Sequence, residues 1–272
     1  MNKFPVCPIF IPANRLEWIE KTFDKGADAV IIDLEDSVPE NQKTETRADL
    51  LSFLQSNNFD KTVLVRVNPI DSEFGKDDMK VLAEVSSKID AFMLPKVEEV
   101  KLLNELPNNL VLLIETPKSV NNLEELASHK HVIGIALGGA DLSASLGADM
   151  GWDSLLYARS KVILQAAING LFTIDSPFMN IDDISSLENE SSLSKGMGFD
   201  GKAAIHPDQI KPINHSFLPD EKDIQEAKEI IKAFNSSQEA VITYKGKMID
   251  SPIILSMERR LRLVGVDPEN ID

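Results

Sequence analysis

The chain has 272 residues, a formal net charge of −16 at pH 7 and one cysteine, Cys7. A single cysteine excludes an intrachain disulfide and is typical of proteins from a reducing compartment, so we expect a cytoplasmic protein. The acidity disfavours nonspecific binding to nucleic acid or anionic membranes, and no stretch reaches the ~20 apolar residues that span a bilayer.

Short apolar runs alternate with helical patterns over residues 1–217. We predict strands at Val6–Ile11, Ala29–Leu34, Thr62–Val67, Ala91–Leu94, Leu110–Ile114, Val132–Leu137, Leu171–Ile174 and Lys202–Ile205. The helices between them are predicted at Asn14–Lys25, Asn41–Gln55, Asp77–Ser86, Glu98–Glu105, Lys118–His129, Asp153–Asn169 and Ile181–Met197, with another from about Asp208. Eight strands in this rhythm predict an α/β fold, a (β/α)8 TIM barrel.

The pattern changes after residue 217. A helix at Asp220–Phe234, a hairpin at Ala240–Ile249 and a helix at Ile253–Leu263 are predicted there. This segment is too small to fold independently with ease. We therefore divide the chain into a catalytic barrel, residues 1–217, and a C-terminal extension or lid, residues 218–272, which packs on the barrel or on a neighbouring subunit.

Polar side chains gather where the predicted strands end. They are Asn14, Arg15, Glu35, Asp36, Arg66, Asn68, Lys96, Glu115, Asp141, Asp175 and His206. Parallel strands bring their carboxyl ends to one edge, which is where barrel enzymes bind their ligands. The opposite strand ends carry less varied chemistry, so this asymmetry indicates a site.

Glu115 and Asp141 follow strands 5 and 6, which a helix connects. Two carboxylates at one edge repel each other unless a cation lies between them. Hard oxygen ligands without a Cys/His cluster favour Mg²⁺, and Mn²⁺ is an alternative. The competing interpretation is that each acid caps the following helix or pairs with Arg66 or Lys96.

Three basic residues at this edge have more than one interpretation. Arg66 could bind a carboxylate or stabilise an oxyanion, or it could form a structural ion pair with Glu35 or Asp36. Lys96 could form a Schiff base, but a metal at the site favours a charge partner for the acids. His206 could act as a base, although a loop-anchoring hydrogen bond is the commoner role of such a histidine.

Several motifs together resemble the citrate lyase beta-subunit family of the HpcH/HpaI aldolase/citrate lyase superfamily. They are residues 11–15 (IPANR), 33–38 (DLEDSV), 65–69 (VRVNP), 94–96 (LPK), 114–116 (IET), 139–142 (GADL), 157–160 (YARS), 198–207 (GFDGKAAIHP) and 246–252 (GKMIDSP). They occur in the family's order and cover nearly the whole chain. Ala13 departs from the glycine that the family usually has at that position.

The resemblance implies a TIM barrel in a homotrimer or in a hexamer built from trimers, with Mg²⁺ held by Glu115 and Asp141. It implies that Arg66 contacts the carboxylate or thioester oxygen of a substrate carried on coenzyme A or an acyl carrier protein. Asp250 would reach a neighbouring subunit's site. We assign the remaining substrate contacts to Asn14, Arg15, Glu35, Asp36, Gly139 and Ala140.

The function implied by this resemblance is retro-Claisen cleavage of a citramalyl-, malyl- or citryl-type 3-hydroxyacyl thioester into a 2-oxo acid and an acetyl thioester. Other possibilities are the beta subunit of a citrate lyase complex, a malyl-coenzyme A thioesterase or malate-synthase-like enzyme, and a non-catalytic binding paralogue. The intact set of Arg66, Glu115 and Asp141 argues against the last of these.

Overall fold

A computed structural model describes residues 5–107, 109–237 and 239–271. The chain forms two compact units that divide between Phe217 and Leu218. In the first unit, eight parallel strands pair in sequence order, β1 to β8. They are β1 Pro8–Pro12, β2 Ala29–Asp33, β3 Thr62–Arg66, β4 Ala91–Leu94, β5 Leu110–Ile114, β6 Val132–Leu137, β7 Phe172–Asp175 and β8 Gly201–Lys202. The predicted (β/α)8 barrel is confirmed.

The sheet closes through backbone contacts between the segment after β8 and β1. Ile9 and Ala204 form a parallel bridge, the Phe10 N–H donates to the Ala204 carbonyl at 2.9 Å, and the Ala204 N–H donates to the Pro8 carbonyl at 2.8 Å. β8 is shorter than the predicted Lys202–Ile205, because the chain turns away from β7 after Lys202. The residues that follow still bond to β1.

Helices cover the outside of the barrel. They are α1 Ile19–Asp24, α2 Lys43–Ser56, α3 Glu73–Leu82, α4 Pro117–Asn121, α5 Leu123–Ala127, α6 Gly139–Leu146, α7 Leu156–Asn169, α8 Ile184–Met197 and α9 Ile210–Phe217. Short 3₁₀ helices lie at Leu16–Trp18, Glu40–Gln42, Ala83–Lys88, Val100–Leu103 and Pro207–Gln209. In the described part of the chain, every helix is too short or too polar to cross a bilayer.

The helices differ from the sequence-based expectation in three places. The predicted helix Glu98–Glu105 is only the 3₁₀ helix Val100–Leu103. The predicted helix Lys118–His129 is divided into α4 and α5 at Asn122, whose φ of −89° and ψ of 9° interrupt the helix. α6 was not predicted, and Asp141 lies in its first turn rather than directly after β6. Gly147 ends α6 in the left-handed region, with φ of 64°, which glycine adopts at little cost.

Alternation along the strands decides which side chains fill the barrel. Successive residues of a strand point to opposite faces. The interior cluster contains one such set from each of several strands: Ala29, Ile31, Leu64, Ala91, Met93, Val111, Leu113, Ala136, Phe172, Ile174 and Ala203. The side chains between them face the helices, so the strands are apolar on both faces, as is usual in parallel sheets.

The second unit contains helix α10 Glu221–Asn235, the antiparallel hairpin β9 Ile242–Tyr244 and β10 Lys247–Ile249, and helix α11 Ser251–Leu263. Its own apolar cluster joins Ile230 and Ile231 of α10 to Met257 and Leu261 of α11. The hairpin turns at Lys245 and Gly246. Their positive φ values, 47° and 78°, are those required by the type I′ turn, which is common in two-residue hairpin loops.

Candidate active site

A cavity of about 760 Å³ opens at the carboxyl end of the barrel in the first unit. We select one axis-facing lining residue from each of β1 to β7, together with Ala203, which directly follows β8. We name these eight residues the inner ring: Phe10, Asp33, Arg66, Met93, Leu113, Ala136, Ile174 and Ala203. Six of them are apolar, and the two charged ones are neighbours on β2 and β3. The charged groups of the cavity floor therefore lie on one side of the barrel, at β2 and β3.

Arg66 is held rigidly by a residue that the sequence analysis did not select. Its Nε and Nη2 donate to Asp33 Oδ1 and Oδ2 at 2.6 and 2.7 Å. This bidentate geometry is the strongest arrangement of the guanidinium–carboxylate pair. Burial alone would raise the pKa of Asp33, but the Arg66 hydrogen bonds and charge outweigh it, and the pKa lies below its usual value.

Glu35 links Arg66 to Lys96. Arg66 Nη1 lies 3.2 Å from Glu35 Oε2, and Lys96 Nζ lies 2.8 Å from Glu35 Oε1. Glu35 Oε2 is buried and accepts no hydrogen bond from the described residues. Burial raises the pKa of Glu35, and Arg66 and Lys96 reduce that rise without reversing it. Glu35 is therefore a buried link between the two cations, and it is not among the described residues that line the cavity.

Lys96 is a charge partner of the acids. Its Nζ also lies 3.3 Å from Asp141 and 3.8 Å from Asp36. Its own backbone is in the left-handed region, with φ of 55°, which is uncommon outside glycine, asparagine and aspartate. That conformation lets the Lys96 N–H donate to Glu115 Oε1 at 3.0 Å while the side chain reaches Glu35.

Glu115 is buried directly after β5, with 2% of its surface exposed. Burial, followed by the charges of Glu35 and Asp141, raises the pKa of Glu115 to about 8. A Cβ on Gly138 would lie 2.6 Å from Glu115 Oε2 and 2.4 Å from its Cβ. Gly138 is thus required so that Glu115 can stand against the backbone that leads into α6.

Asp141 lies half-buried in the first turn of α6, where Lys96 links it to Glu35. The first N–H groups of a helix lack intrahelical partners and favour anions, and Gly139 and Ala140 occupy these positions. A side chain on Gly139 would clash with Ser176 Oγ at 2.8 Å and approach Met150 Cε at 3.1 Å. The lack of side chains at Gly138 and Gly139 is therefore required for packing, and it also permits a ligand to approach the backbone.

The carboxylates have the chemistry of a divalent-cation site. Glu115 and Asp141 offer hard oxygens that line the cavity, and the pKa of Glu115 is raised first by burial and then by the charges of Glu35 and Asp141. Among the described residues, no three His, Cys, Asp or Glu side chains form a complete cage. A Mg²⁺-like ion fits, since such ions keep several waters or substrate oxygens beside one or two carboxylates.

Asp175, the last residue of β7, borders the cavity but forms a buried ion-pair network instead of joining the acidic cluster. Its oxygens lie 2.9 Å from Arg159 Nε and 2.9 Å from Lys202 Nζ, and all three residues are buried. Ile174 faces the barrel axis, so the next residue points outward to the helices. Lys202 also contacts Glu190 at 2.6 Å. This buried network ties β7 and β8 to α7 and α8.

The remaining predicted residues lie at the rim or outside it. Asp36 is 55% exposed and lies 3.7 Å from Arg66 Nη1. The Asn14 amide donates to Gln42 at 3.4 Å, and the Arg15 guanidinium lies 5.9 Å from the Trp18 ring centre. Asn14 thus contacts the segment between β2 and α2, Arg15 contacts the segment that follows β1, and neither residue is among the described cavity-lining residues.

Asn68 and His206 have structural partners. The Asn68 amide donates to Asp78 at 2.7 Å, and its carbonyl oxygen accepts from Lys43 Nζ at 2.6 Å. His206 Nδ1 accepts from the Asp208 N–H at 3.3 Å at the start of a 3₁₀ turn. The histidine is thus a loop anchor, as the sequence analysis favoured.

Asp250 belongs to the second unit. It precedes α11, and its Oδ1 accepts from the Ile253 N–H at 3.4 Å, which caps the helix. Its side chain is partly exposed. A helix cap of this kind does not prevent one carboxylate oxygen from contacting a further partner.

Comparison with known proteins decides the family. Residues 7–207 match the model of the HpcH/HpaI aldolase/citrate lyase family. The chain belongs to that family. This match confirms the resemblance drawn from the motifs, and it spans the whole barrel from β1 to the turn after β8.

Relatives within the HpcH/HpaI family align over most of their length. Citrate lyase subunit beta of Leuconostoc mesenteroides subsp. cremoris is 30% identical over 95% of this chain and 93% of its own. The mitochondrial citramalyl-CoA lyase of Mus musculus is 32% identical over 90% of this chain and 82% of its own. A crystal structure of the protein CitE from Mycobacterium tuberculosis in complex with magnesium, acetoacetate and coenzyme A covers 97% of this chain and 100% of its own, with a TM-score of 0.83 at 28% identity.

Proposed function

We propose that this protein is a Mg²⁺-dependent carbon–carbon lyase that cleaves a 3-hydroxyacyl thioester into a 2-oxo acid and an acetyl thioester. The observation that carries the proposal is the acidic cluster of Glu35, Glu115 and Asp141 beside a rigidly held Arg66. The names of its relatives, a citrate lyase subunit and a citramalyl-CoA lyase, support the same chemistry. So does the magnesium, acetoacetate and coenzyme A complex of the Mycobacterium tuberculosis protein.

Glu115 and Asp141 are the residues proposed to hold the metal, and Lys96 connects Asp141 to the buried Glu35. When bound, Mg²⁺ or Mn²⁺ would supply Lewis acidity to an oxygen of the substrate and stabilise negative charge there. Without a metal, the buried carboxyl of Glu115 has its pKa raised to about 8 and is neutral at lower pH. The protein thus provides a site that a divalent cation completes.

The chain's own residues position the substrate. Arg66 cannot rotate freely because Asp33 holds two of its nitrogens, so its Nη1 edge remains aligned for a carboxylate or thioester oxygen. The N–H groups at the start of α6, from Gly139 and Ala140, would bind the carboxylate of the substrate. Asn14, Arg15 and Asp36 at the rim would contact the carrier portion.

The reaction breaks the bond between the carbinol carbon and the carbon next to the thioester carbonyl. The hydroxyl proton leaves to a base, the carbinol oxygen becomes the ketone of the 2-oxo acid, and the bonding electrons pass to the thioester as an enolate. Arg66 would stabilise the negative oxygen of that enolate. Protonation of the enolate carbon then gives the acetyl thioester.

Asp250 is our candidate for that last proton transfer. By the family resemblance, it would act in the site of a neighbouring subunit of a homotrimer, with residues 218–272 as the extension that delivers it. Its partly exposed position at the start of α11 is compatible with such a role. We also propose a cytoplasmic location, since the chain has one cysteine.

The test is a 2-oxo acid release assay on purified protein with a panel of 3-hydroxyacyl-coenzyme A thioesters. The assay is run with Mg²⁺, with EDTA and with the Asp141→Ala variant. Metal-dependent release that disappears in this variant supports the lyase. Asp49→Ala is a matched control, because Asp49 is exposed on α2 outside the cavity. Absence of release from every thioester, despite Mg²⁺ binding, would contradict the proposal.

A second candidate function is the beta subunit of a citrate lyase complex, which is supported by the name of the Leuconostoc relative. In that case the substrate thioester is carried on an acyl carrier protein. Turnover of an acyl-carrier thioester with no turnover of coenzyme A thioesters would favour this function. Release of free coenzyme A together with an intact hydroxy acid would instead indicate the thioesterase alternative.

A further inference from the structure

We propose that the preferred substrate carries a methyl group on its carbinol carbon, so that the 2-oxo acid released is pyruvate rather than oxaloacetate. This inference rests on the proposed lyase function and narrows it. The three substrates that the function leaves open differ only in one substituent of this carbon: it is a methyl group in a citramalyl thioester, hydrogen in a malyl thioester, and a carboxymethyl group, which carries a second carboxylate, in a citryl thioester.

The inner ring offers an apolar surface to that substituent. From β4 to β8 its members are Met93, Leu113, Ala136, Ile174 and Ala203, and each of them is buried within the barrel. Together with Phe10 they form the floor around the Asp33–Arg66 pair. The small side chains of Ala136 and Ala203 leave room for a methyl group, whose burial is favourable.

The two cations beside the acidic cluster, Arg66 and Lys96, already form ion pairs with carboxylates of the protein. Asp33 and Glu35 engage all three nitrogens of the Arg66 guanidinium, and Glu35 and Asp141 engage the Lys96 ammonium. The N–H groups at the start of α6 are assigned to the carboxylate that all three substrates share, and Arg66 is assigned to the thioester oxygen that becomes negative in the reaction. A second carboxylate would compete for the same donors.

Other basic side chains of the cavity lining lie across the barrel mouth. In the described residues they are Lys21, Lys25 and His206. Lys21 and Lys25 follow β1, and His206 follows β8, whereas Glu115 follows β5 on the opposite side of the eight-stranded ring. Lys25 and His206 also face Asp208 at 3.3 and 3.6 Å.

A second substrate carboxylate therefore has no suitable place. It would lie either on the apolar part of the inner ring or against Glu35, Asp36, Glu115 and Asp141, which carry or share negative charge. An ionised carboxylate that loses its water without gaining a partner is strongly disfavoured. A methyl group carries no charge, so its burial against the same apolar surface has no such desolvation penalty.

The first experiment compares kcat/KM of the wild-type protein for both epimers of citramalyl-, malyl- and citryl-coenzyme A at saturating Mg²⁺. We expect pyruvate release to exceed glyoxylate release by about 10-fold, the low end for one methyl group in an apolar pocket. We expect it to exceed oxaloacetate release by on the order of 100-fold. Glyoxylate or oxaloacetate release equal to or faster than pyruvate release would overturn the inference, whereas no release of any 2-oxo acid would instead reject the lyase function.

A variant of Met93 tests whether the apolar part of the inner ring causes this substrate preference. Met93 lies beside Arg66 in strand register, and Met93→Lys would place a cation in the apolar part of the inner ring. We expect the citryl-to-citramalyl ratio of kcat/KM to rise at least about 10-fold, the equivalent of one new charge pair. Met79→Lys makes the same chemical change on α3, outside the cavity lining, and should leave the ratio unchanged. An unchanged ratio in a folded Met93→Lys protein would contradict the inference; if that variant does not fold, the wild-type comparison decides.

Discussion

Asp33 and Arg66 are direct register partners on β2 and β3, and their side chains form a two-pronged ion pair in the inner ring of the barrel. The pair occupies the only charged part of that ring among the described residues. Arg66 is therefore a fixed donor, whose remaining nitrogen is directed at Glu35 and the acidic cluster. A mutation of Asp33 should therefore change how firmly Arg66 is held.

We predict that Asp33→Asn lowers kcat by at least about 10-fold while the protein remains folded. The amide keeps the shape of the carboxylate but loses its charge and one acceptor, so Arg66 is held less firmly. The measurement is steady-state kinetics with a coenzyme A thioester, accompanied by thermal unfolding. Asp28→Asn is not a suitable control, because Asp28 accepts from the Val6 and Cys7 N–H groups; the exposed Asp49 on α2 supplies Asp49→Asn instead. An unchanged kcat would show that Asp33 does not position Arg66 for the reaction.

Lys96→Met should increase the affinity for Mg²⁺ by about 10-fold. The ammonium lies within 3.3 Å of Asp141 and 2.8 Å of Glu35, so it partly neutralises the field that attracts a cation. Isothermal titration calorimetry with Mg²⁺ alone measures the change. We also expect a lower unfolding temperature without metal, since the carboxylates then repel one another without a counterion.

The control for that experiment is Lys101→Met, because Lys101 is 73% exposed and pairs with Glu99 away from the cavity. Weaker Mg²⁺ binding in Lys96→Met would mean that the lysine supports the metal site instead of competing with the metal. Such a result would leave the placement of Glu115 and Asp141 as ligands to be tested by their own variants.

The barrel could be predicted because its strands are short apolar runs with clear boundaries. β4, β5 and β6 have the bounds expected from the sequence. α6 is not evident in the sequence because it begins at the second of two glycines and has only eight residues, too few to show a helical apolar period. The consequence was functional, since Asp141 lies on that helix.

The site was predicted in part, because position after a strand does not determine the direction of a side chain. Asp33 shares the inward face of β2 with Ala29 and Ile31, and this alternation could have identified it. The same rule places Asp175 outward, since Ile174 points inward. The partners of Arg159 and Lys202 come from different elements, so their network could not be derived from spacing along the chain.

Gly138→Ala should disrupt the metal site more than it disrupts the fold. The new Cβ would lie 2.6 Å from Glu115 Oε2, closer than real Cβ contacts, so the Glu115 side chain must move. We expect Mg²⁺ affinity to fall at least about 10-fold, the loss expected when the surroundings of a metal ligand are disturbed, as measured by calorimetry. Gly196→Ala is the matched control: nothing lies within 4 Å of its added Cβ on α8, and it should stabilise the protein by about 0.5–1 kcal/mol. Equal Mg²⁺ affinity in both variants would argue against Glu115 as a ligand.

Asp175→Asn should destabilise the protein by about 3 kcal/mol, because it leaves the buried Lys202 and Arg159 without their shared counterion. Burial raises the pKa of Asp175, but the Lys202 ammonium, the Arg159 guanidinium and the hydrogen bonds outweigh burial, so the net pKa is lowered. A carboxyl with a lowered folded-state pKa contributes stability above its unfolded pKa of about 4 and loses that contribution as pH falls further. Chemical denaturation between pH 7 and pH 3 should therefore show the wild-type advantage over Asp175→Asn shrinking below about pH 4. A difference that stays constant across this range would mean that the aspartate stabilises the barrel through packing and not through its charge.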